Sequence, residues 1–152
     1  MFRKYLVSVL IALIVATPAF AYDKQLAKVY EEFYSTFEEK MVPKEMHRIP
    51  VEKLVEMMKK EQVVLLDVRT LAEQQLVGLC YKHTLSMPMN DVFKPENLAK
   101  IPTDKKVVAT CHKGLRCTII ALGLRNIGFD NVYSAKGGML ELMKYVGAKT
   151  AF

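Results

Sequence analysis

Residues 105–127 read Lys-Lys-Val-Val-Ala-Thr-Cys-His-Lys-Gly-Leu-Arg-Cys-Thr-Ile-Ile-Ala-Leu-Gly-Leu-Arg-Asn-Ile, and they predict a strand, a loop and a helix in succession. Residues 105–110 form a short apolar run, which is typical of a strand buried on both faces. Residues 117–127 have the apolar spacing of a helix packed by Ile119, Ile120, Leu122, Leu124 and Ile127. Residues 111–116 therefore link the carboxyl end of a strand to the amino end of a helix. Open α/β sheets place their ligand sites at such links.

The residue types in this loop predict a specific chemistry. Backbone N–H groups converge there, and the helix dipole adds about half a positive charge at the amino end of the helix. Cysteines in such a field have pKa values lowered from about 8.5 into the range of about 3.5 to 7.5. Lys113 and Arg116 add positive charge, and Gly114 allows the backbone to turn tightly. We therefore expect an anion-binding cradle with a nucleophilic sulfur, Cys111, at its floor.

Three other segments accompany the loop. Upstream are Val64-Leu-Leu-Asp-Val-Arg-Thr-Leu-Ala-Glu73 and then Gly78; downstream are Asn126-Ile-Gly-Phe-Asp-Asn-Val-Tyr133 and Lys136-Gly-Gly-Met139. In this order and spacing they resemble the signature segments of the rhodanese family, and residues 111–116 resemble its active-site loop. The resemblance implies an α/β rhodanese-like domain over residues 44–150. Its central sheet would be five-stranded and mostly parallel, with helices on both faces.

Strand and helix patterns also alternate along this part of the chain, which independently favours βαβ units and a parallel sheet. The predicted strands are residues 46–49, 63–67, 105–110 and 131–134. The predicted helices are residues 50–60, 71–77, 117–127 and 140–146.

The first 21 residues have the pattern of a secretory signal peptide. A basic start is followed by the apolar run 5–16 and by Ala19-Phe-Ala21, which predicts cleavage before Tyr22 and a periplasmic protein. The alternative is a membrane anchor, but the apolar run is shorter than the about 20 residues of a bilayer span. Cleavage would lower the net charge from +6 to +4, since the leader carries Arg3 and Lys4 and no acid. That mild charge suits anionic substrates and gives no dense patch for nucleic acid.

Residues 22–43 predict an amphipathic N-terminal helix that ends at Pro43. Its apolar stripe consists of Leu26, Val29, Tyr30, Phe33, Phe37 and Met41. Two explanations remain open. The stripe covers one flank of the domain, or it forms the contact of a homodimer.

Within the loop, Cys111 is the predicted nucleophile; the alternative is a buried structural cysteine. The resemblance implies that the rest of the loop binds substrate: His112, Lys113, Gly114, Leu115 and Arg116. Arg116 would close the loop by pointing its donors at the substrate or at a supporting carboxylate. For Lys113, a solvated loop charge is the alternative.

Three upstream positions match family signature positions as supporting residues. Asp67 would tie loops behind the site, and Arg69 would pair with an acid such as Glu73. Alternatively, Arg69 lies at the pocket mouth and contacts the substrate. Gly137 and Gly138 predict a tight turn at the pocket rim.

Residues 78–88 depart most from the usual family pattern. The Tyr81-Lys-His83 piece is similar to periplasmic polysulfide-sulfur transferases, a small dimeric branch of the family with an extra N-terminal helix. This likeness adds polysulfide to thiosulfate as an expected donor. Lys82 and His83 would face the substrate entrance, or else form an exposed turn. Leu142 stands where many relatives carry tryptophan.

The three cysteines leave several pairings open. Cys80 and Cys117 would form a structural disulfide that leaves Cys111 free. Alternatively, Cys117, which replaces the usual hydroxyl residue after the loop arginine, donates a weak hydrogen bond to the Cys111 sulfur. In a third alternative it attacks an oxidised or persulfidated Cys111 and forms a reversible disulfide.

The expected function is sulfur transfer from thiosulfate or polysulfide, through a Cys111 persulfide, to cyanide or a thiol. It requires neither a metal nor another cofactor. Phosphatases of related fold have five residues between the cysteine and the arginine, whereas this loop has four. Two alternatives remain: a non-enzymatic polysulfide-sulfur carrier for a membrane reductase, and a thiol-disulfide protein that uses Cys111 and Cys117.

Overall fold

The structure is a computed structural model that describes residues 22–35 and 47–147. The predicted signal peptide therefore lies outside the described residues. The helices are α1 (Lys24–Ser35), α2 (Val51–Lys59), α3 (Leu71–Leu76), α4 (Pro95–Leu98), α5 (Leu115–Asn126) and α6 (Gly138–Tyr145). The strands are β1 (Arg48–Ile49), β2 (Val63–Asp67), β3 (Thr84–Ser86), β4 (Lys106–Thr110) and β5 (Val132–Ala135).

The five strands form one sheet in the order β1-β5-β4-β2-β3, and every pair is parallel. Asp67 at the end of β2 lies opposite Thr110 at the end of β4, so the two central strands end at the same edge. Residues that follow these ends, including Cys111, are thereby brought together. The predicted α/β fold with a five-stranded sheet is confirmed, and the sheet is parallel throughout.

Apolar side chains fill both faces of the sheet. On one face, Leu66, Val107 and Ala109 pack with α5 through Ile120 and Leu124. On the other face, Leu65 and Val108 pack with α2 through Leu54. The facing sides of α2 and α6 add Val51, Val55, Met139 and Leu142. The central strands are therefore buried on both faces, which explains their continuous apolar sequence.

The packing predicted for the helix after the loop is wrong at two positions. Ile119 and Ile127 are more than half exposed, whereas Cys117 and Thr118 are buried. The helix carries apolar residues around its whole circumference, so their spacing does not reveal which side faces the sheet. The helix also begins at Leu115, two residues earlier than predicted, because Gly114 ends the loop in a left-handed conformation with φ of 94°.

The N-terminal helix α1 belongs to a separate compact unit and is described by itself. The carboxylate of Asp23 accepts hydrogen bonds from the N–H groups of Gln25 and Leu26, at 2.9 and 3.0 Å, and so caps the helix. The predicted extension to residue 43, with Phe37 and Met41, lies outside the described residues. Among the residues that are described, no helix is both long and apolar enough to cross a membrane.

Candidate active site

The loop after β4 wraps its backbone around the sulfur of Cys111. Cys111 is 1% exposed, and the N–H group of Gly114 donates to its Sγ over 3.2 Å. The side chains of His112, Lys113 and Leu115 are exposed at the loop surface, and Arg116 is half-buried. The predicted arrangement of a sulfur at the floor and cationic side chains above it is thus present.

The surroundings of Cys111 favour its thiolate. Its pKa is lowered to about 5, chiefly by the neighbouring Cys117 side chain. Burial opposes this shift, and the backbone N–H groups of Cys117, Gly114 and Lys113 add to it. Donors that stabilise the charged form lower a pKa in this way. Cys111 is therefore a thiolate at neutral pH.

Arg116 is held by a carboxylate. Its Nη1 and Nη2 atoms donate to Glu73 Oε2 and Oε1 at 2.8 and 2.6 Å. The same carboxylate accepts from the N–H and hydroxyl of Thr70, at 2.9 and 3.0 Å. The Arg116 bonds first, and then the Thr70 bonds, lower the pKa of Glu73 to about 2. Of the two destinations expected for Arg116, the structure shows the supporting carboxylate. The pair joins the active-site loop to the first turn of α3.

Arg69 pairs with an acid, as predicted, but the acid is Asp67 and not Glu73. It is 3% exposed and pairs with the equally buried Asp67, with Nε to Oδ1 at 2.9 Å and Nη2 to Oδ2 at 2.7 Å. Its contact with Glu73 is to the backbone carbonyl only, at 3.4 Å. Because Asp67 ends β2 only two residues earlier, the guanidinium folds back onto it, and the carboxylate of Glu73 remains for Arg116. Arg69 thus supports the β2–α3 connection, with its guanidinium buried against Asp67 and not exposed at a pocket mouth.

The connection after β2 has two further supports. Gln74 Nε2 donates to the backbone carbonyls of Asp67 and Arg69, at 3.2 and 2.9 Å. Thr70 and Glu73 form a capping box at the start of α3. The Thr-x-x-Glu spacing is a sequence signature of that motif, so Thr70 is recognisable from the sequence, whereas Gln74 is not.

A Gly137-Gly138 turn supports the loop from behind. The next two N–H groups, of Met139 and Leu140, donate to the carbonyls of Cys111 and His112 at 2.7 and 3.0 Å. A Cβ atom on Gly138 would lie 2.2 Å from the Cys111 carbonyl oxygen. The turn therefore presses against the loop backbone more closely than any other residue type would allow.

This contact gives a testable prediction. Gly138 has φ of 60°, so Gly138→Ala is expected to cost about 1–2 kcal/mol from conformation alone and to displace the loop through the clash. We expect a lower unfolding midpoint and a large loss of activity. Gly128→Ala is the matched control, because Gly128 also has positive φ but open space around its Cβ position. Equal activity in the two variants would contradict the role given to this contact.

Lys82 and His83 do not face the substrate entrance. They precede β3, and their side chains approach Glu61 at 2.6 and 3.5 Å. Cys111 instead follows the carboxyl end of β4, which runs parallel to β3 in the same sheet. The cluster and the loop therefore lie at opposite edges of the sheet. The alternative of an exposed turn fits the structure.

The cysteines are all free thiols: Cys80 is exposed, and Cys111 and Cys117 are buried. The structure therefore does not contain the considered Cys80–Cys117 disulfide. Cys80 instead lines an apolar groove of about 560 Å³ that no residue of the Cys111 loop lines. Leu142, at the position where many relatives carry tryptophan, lines the same groove.

With this geometry established, comparison with known proteins gives the family. The model of the rhodanese-like domain matches residues 50–144, well over half of the chain. The chain belongs to the rhodanese-like domain family. The match includes every loop and supporting residue described above.

Solved structures agree with the fold of this rhodanese-like domain. A protein of Staphylococcus saprophyticus is 28% identical, with a TM-score of 0.55 over 63% of this chain and 92% of its own. A human single-domain sulfurtransferase is 17% identical, with a TM-score of 0.56 over 64% of this chain and 96% of its own. At that identity the second likeness shows the fold alone.

Curated relatives match the rhodanese-like domain over part of their length. The tRNA uridine(34) hydroxylase of Paraburkholderia phytofirmans is 33% identical over 89 residues, which are 56% of this chain and 30% of the relative. The protein of that name from Burkholderia cenocepacia strain HI2424 is 44% identical over 43 residues, or 15% of its length. The chain thus matches less than a third of these proteins.

Proposed function

We propose that the protein is an exported sulfurtransferase that moves sulfane sulfur from thiosulfate or polysulfide to a thiophilic acceptor. The observation that carries the proposal is the Cys111 thiolate at the floor of a loop lined by N–H groups. A thiolate is the reactive form of cysteine, and fixed N–H donors stabilise anionic sulfur without reorganising. Family membership supports the same chemistry.

In the first half-reaction, the Cys111 thiolate attacks the outer sulfur of the donor. A new S–S bond forms at Cys111 while the donor's S–S bond breaks. The departing electron pair leaves on sulfite when thiosulfate is the donor, or on a shortened polysulfide. Cys111 then holds a persulfide whose terminal anionic sulfur occupies the cradle. The exposed His112 and Lys113 side chains border the path of the anionic donor.

In the second half-reaction, an external nucleophile removes the outer sulfur. Cyanide or a thiolate attacks that atom, the persulfide bond breaks, and Cys111 regains its electron pair as a thiolate. Cyanide becomes thiocyanate, and a thiol becomes a persulfide. The cycle is ping-pong covalent catalysis and needs no cofactor. Arg116, held by Glu73, keeps the loop in place in both halves.

Location and donor rest on sequence features. The pattern of residues 1–21 supports export to the periplasm. The similarity of residues 81–83 to polysulfide-sulfur transferases supports polysulfide as a donor, and dimers in that branch support a homodimer held by residues 22–43. The hydroxylase name of the curated relatives is not transferred to this chain, because the match spans less than a third of their length.

Export gives a simple expected result. Protein recovered from the periplasm should begin at Tyr22, because Ala19-Phe-Ala21 supplies the small residues that signal peptidase requires. N-terminal sequencing of the purified protein measures this directly. Membrane-bound protein that still begins at Met1 would favour an anchor and overturn the proposed processing.

Turnover distinguishes the enzyme from a non-enzymatic carrier for a membrane reductase. With excess cyanide and donor, an enzyme makes many thiocyanate molecules per chain, whereas a carrier makes no more than its bound sulfur. We expect multiple turnovers with thiosulfate, polysulfide or both. Thiocyanate that stops at one equivalent per chain with each donor would support the carrier instead.

A further inference from the structure

Cys117 is a buried thiol whose position ties it to the reacting sulfur. It is 0% exposed, in the first turn of α5. Its Sγ donates to the carbonyl of Gly114 at 3.2 Å and more weakly to that of Ala135 at 3.7 Å. The single proton of this thiol is therefore directed at backbone carbonyls of the active-site loop and of β5, and the neighbouring Cys117 side chain also lowers the pKa of Cys111.

The Gly114 peptide connects the two cysteines a second time. Its N–H group donates to Cys111 Sγ at 3.2 Å, while its carbonyl accepts from Cys117 Sγ at the same distance. The hydroxyl of Thr118 donates to this carbonyl as well, at 2.8 Å. Cys117 and Thr118 thus fix the orientation of the peptide, and that orientation points its N–H group at the catalytic sulfur.

We propose that Cys117 is a positioning residue that holds Cys111 as a thiolate and remains a thiol throughout the reaction cycle. The second half of this statement rests on the proposed function, since it concerns the persulfide of Cys111. Among the alternatives left open by the sequence it rejects the attacking thiol, and it assigns the hydrogen bond of Cys117 to the Gly114 peptide, whose N–H group in turn donates to Cys111.

The charged groups around Cys111 supply only part of the stabilisation of its thiolate. An important part is left to uncharged donors, including the Cys117 thiol. The facing groups are the Arg116 guanidinium, the Cys117 thiol and the N–H groups of Lys113, Gly114 and Cys117. Glu73 neutralises much of the Arg116 charge through its two hydrogen bonds. The side chains of His112 and Lys113 are exposed to solvent, which screens their charge.

The same contacts make Cys117 a poor nucleophile. To resolve a persulfide, the Cys117 thiolate would attack Cys111 Sγ, break its bond to the outer sulfur and expel hydrosulfide. Cys117 would be oxidised to the disulfide, and the outer sulfur would be reduced to sulfide. That attack requires Cys117 to lose its proton, yet the neighbouring Cys111 and burial raise the pKa of Cys117. The persulfide should therefore last until an external acceptor arrives.

The pH dependence of alkylation tests the first half of the proposal. The parent is the Cys80→Ser protein, in which Cys111 is the reactive thiol. Its alkylation by iodoacetamide should have a midpoint near pH 5, matching the lowered pKa of Cys111. In Cys117→Ala the midpoint should rise by about one pH unit or more, and Cys117→Ser should restore much of the shift because a hydroxyl also donates. An unchanged midpoint in folded Cys117→Ala overturns the proposal.

The lifetime of the persulfide tests the second half and needs no Cys117 variant. The parent is loaded with polysulfide, freed of excess donor and kept anaerobically without acceptor, and its intact mass and released sulfide are followed. We expect the added sulfur to stay, with two alkylatable sulfurs after unfolding. Release of hydrosulfide together with a Cys111–Cys117 disulfide overturns the proposal. A parent that never gains sulfur contradicts the proposed function and, with it, this half of the proposal, but leaves the alkylation test valid.

Discussion

The Cys111→Ser variant is expected to produce no thiocyanate from cyanide with either thiosulfate or polysulfide. Serine keeps the size of the side chain but loses the lowered pKa of a thiolate held by three N–H groups and the Cys117 thiol. Loss of a covalent nucleophile reduces turnover by on the order of 1,000-fold or more. The measurement is the rate of thiocyanate formation at saturating donor and cyanide.

The matched control is Cys80→Ser. Cys80 lies in the apolar groove and outside the Cys111 loop, so its removal should leave turnover unchanged. If Cys111→Ser were active and Cys80→Ser inactive, the sulfur carrier would be the groove cysteine, and the site would be misassigned.

Removing the carboxylate of Glu73, which pairs with Arg116, should cause the second largest loss of activity. In Glu73→Gln the charged hydrogen bonds of 2.6 and 2.8 Å to Arg116 are lost, while the amide can still take part in the capping box with Thr70. A released Arg116 allows the loop to shift, and a displacement of about 1 Å at a reacting centre costs on the order of 100-fold in rate. We expect kcat/KM to fall by a factor of about 10 to 100.

The same variant should be less stable than the parent above pH 4.5, and this difference should disappear at acidic pH. The folded pKa of Glu73 is about 2, below its ordinary value of 4.5, so its stabilising contribution is complete above pH 4.5. It is lost as the pH falls through 2. Unfolding midpoints of the parent should therefore decline more steeply between pH 4.5 and 2 than those of Glu73→Gln. Glu56→Gln, an exposed carboxylate on α2, is the control and should follow the parent.

Local patterns predicted the elements that build the site, because their signals lie within single segments. The strand Val63–Asp67 has its predicted bounds, and β4 begins one residue later than predicted. Both strands are buried on two faces, so a continuous apolar run identifies them. The strand–loop–helix order then places Cys111 at the carboxyl edge of the sheet.

The ionic partners could not be predicted in the same way. Glu73 and Arg116 are 43 residues apart, and they meet because α3 and the active-site loop share the edge formed by β2 and β4. Sequence proximity instead suggested Glu73 as the partner of Arg69. In the structure the guanidinium of Arg69 pairs with Asp67. The position of Lys82 and His83 likewise depends on the parallel pairing of β3 with β2. The sequence of so short a strand does not predict this pairing.

The central claim is that Cys111 itself carries the transferred sulfur, and intact mass spectrometry tests it most directly. After incubation with thiosulfate or polysulfide and removal of excess donor, the protein should gain one sulfur atom, located on Cys111 by peptide mapping. Cyanide should remove that atom as thiocyanate, and Cys111→Ser should never gain it. A protein that gains no sulfur from either donor, or a Cys111→Ser variant that gains and transfers it normally, would contradict the claim.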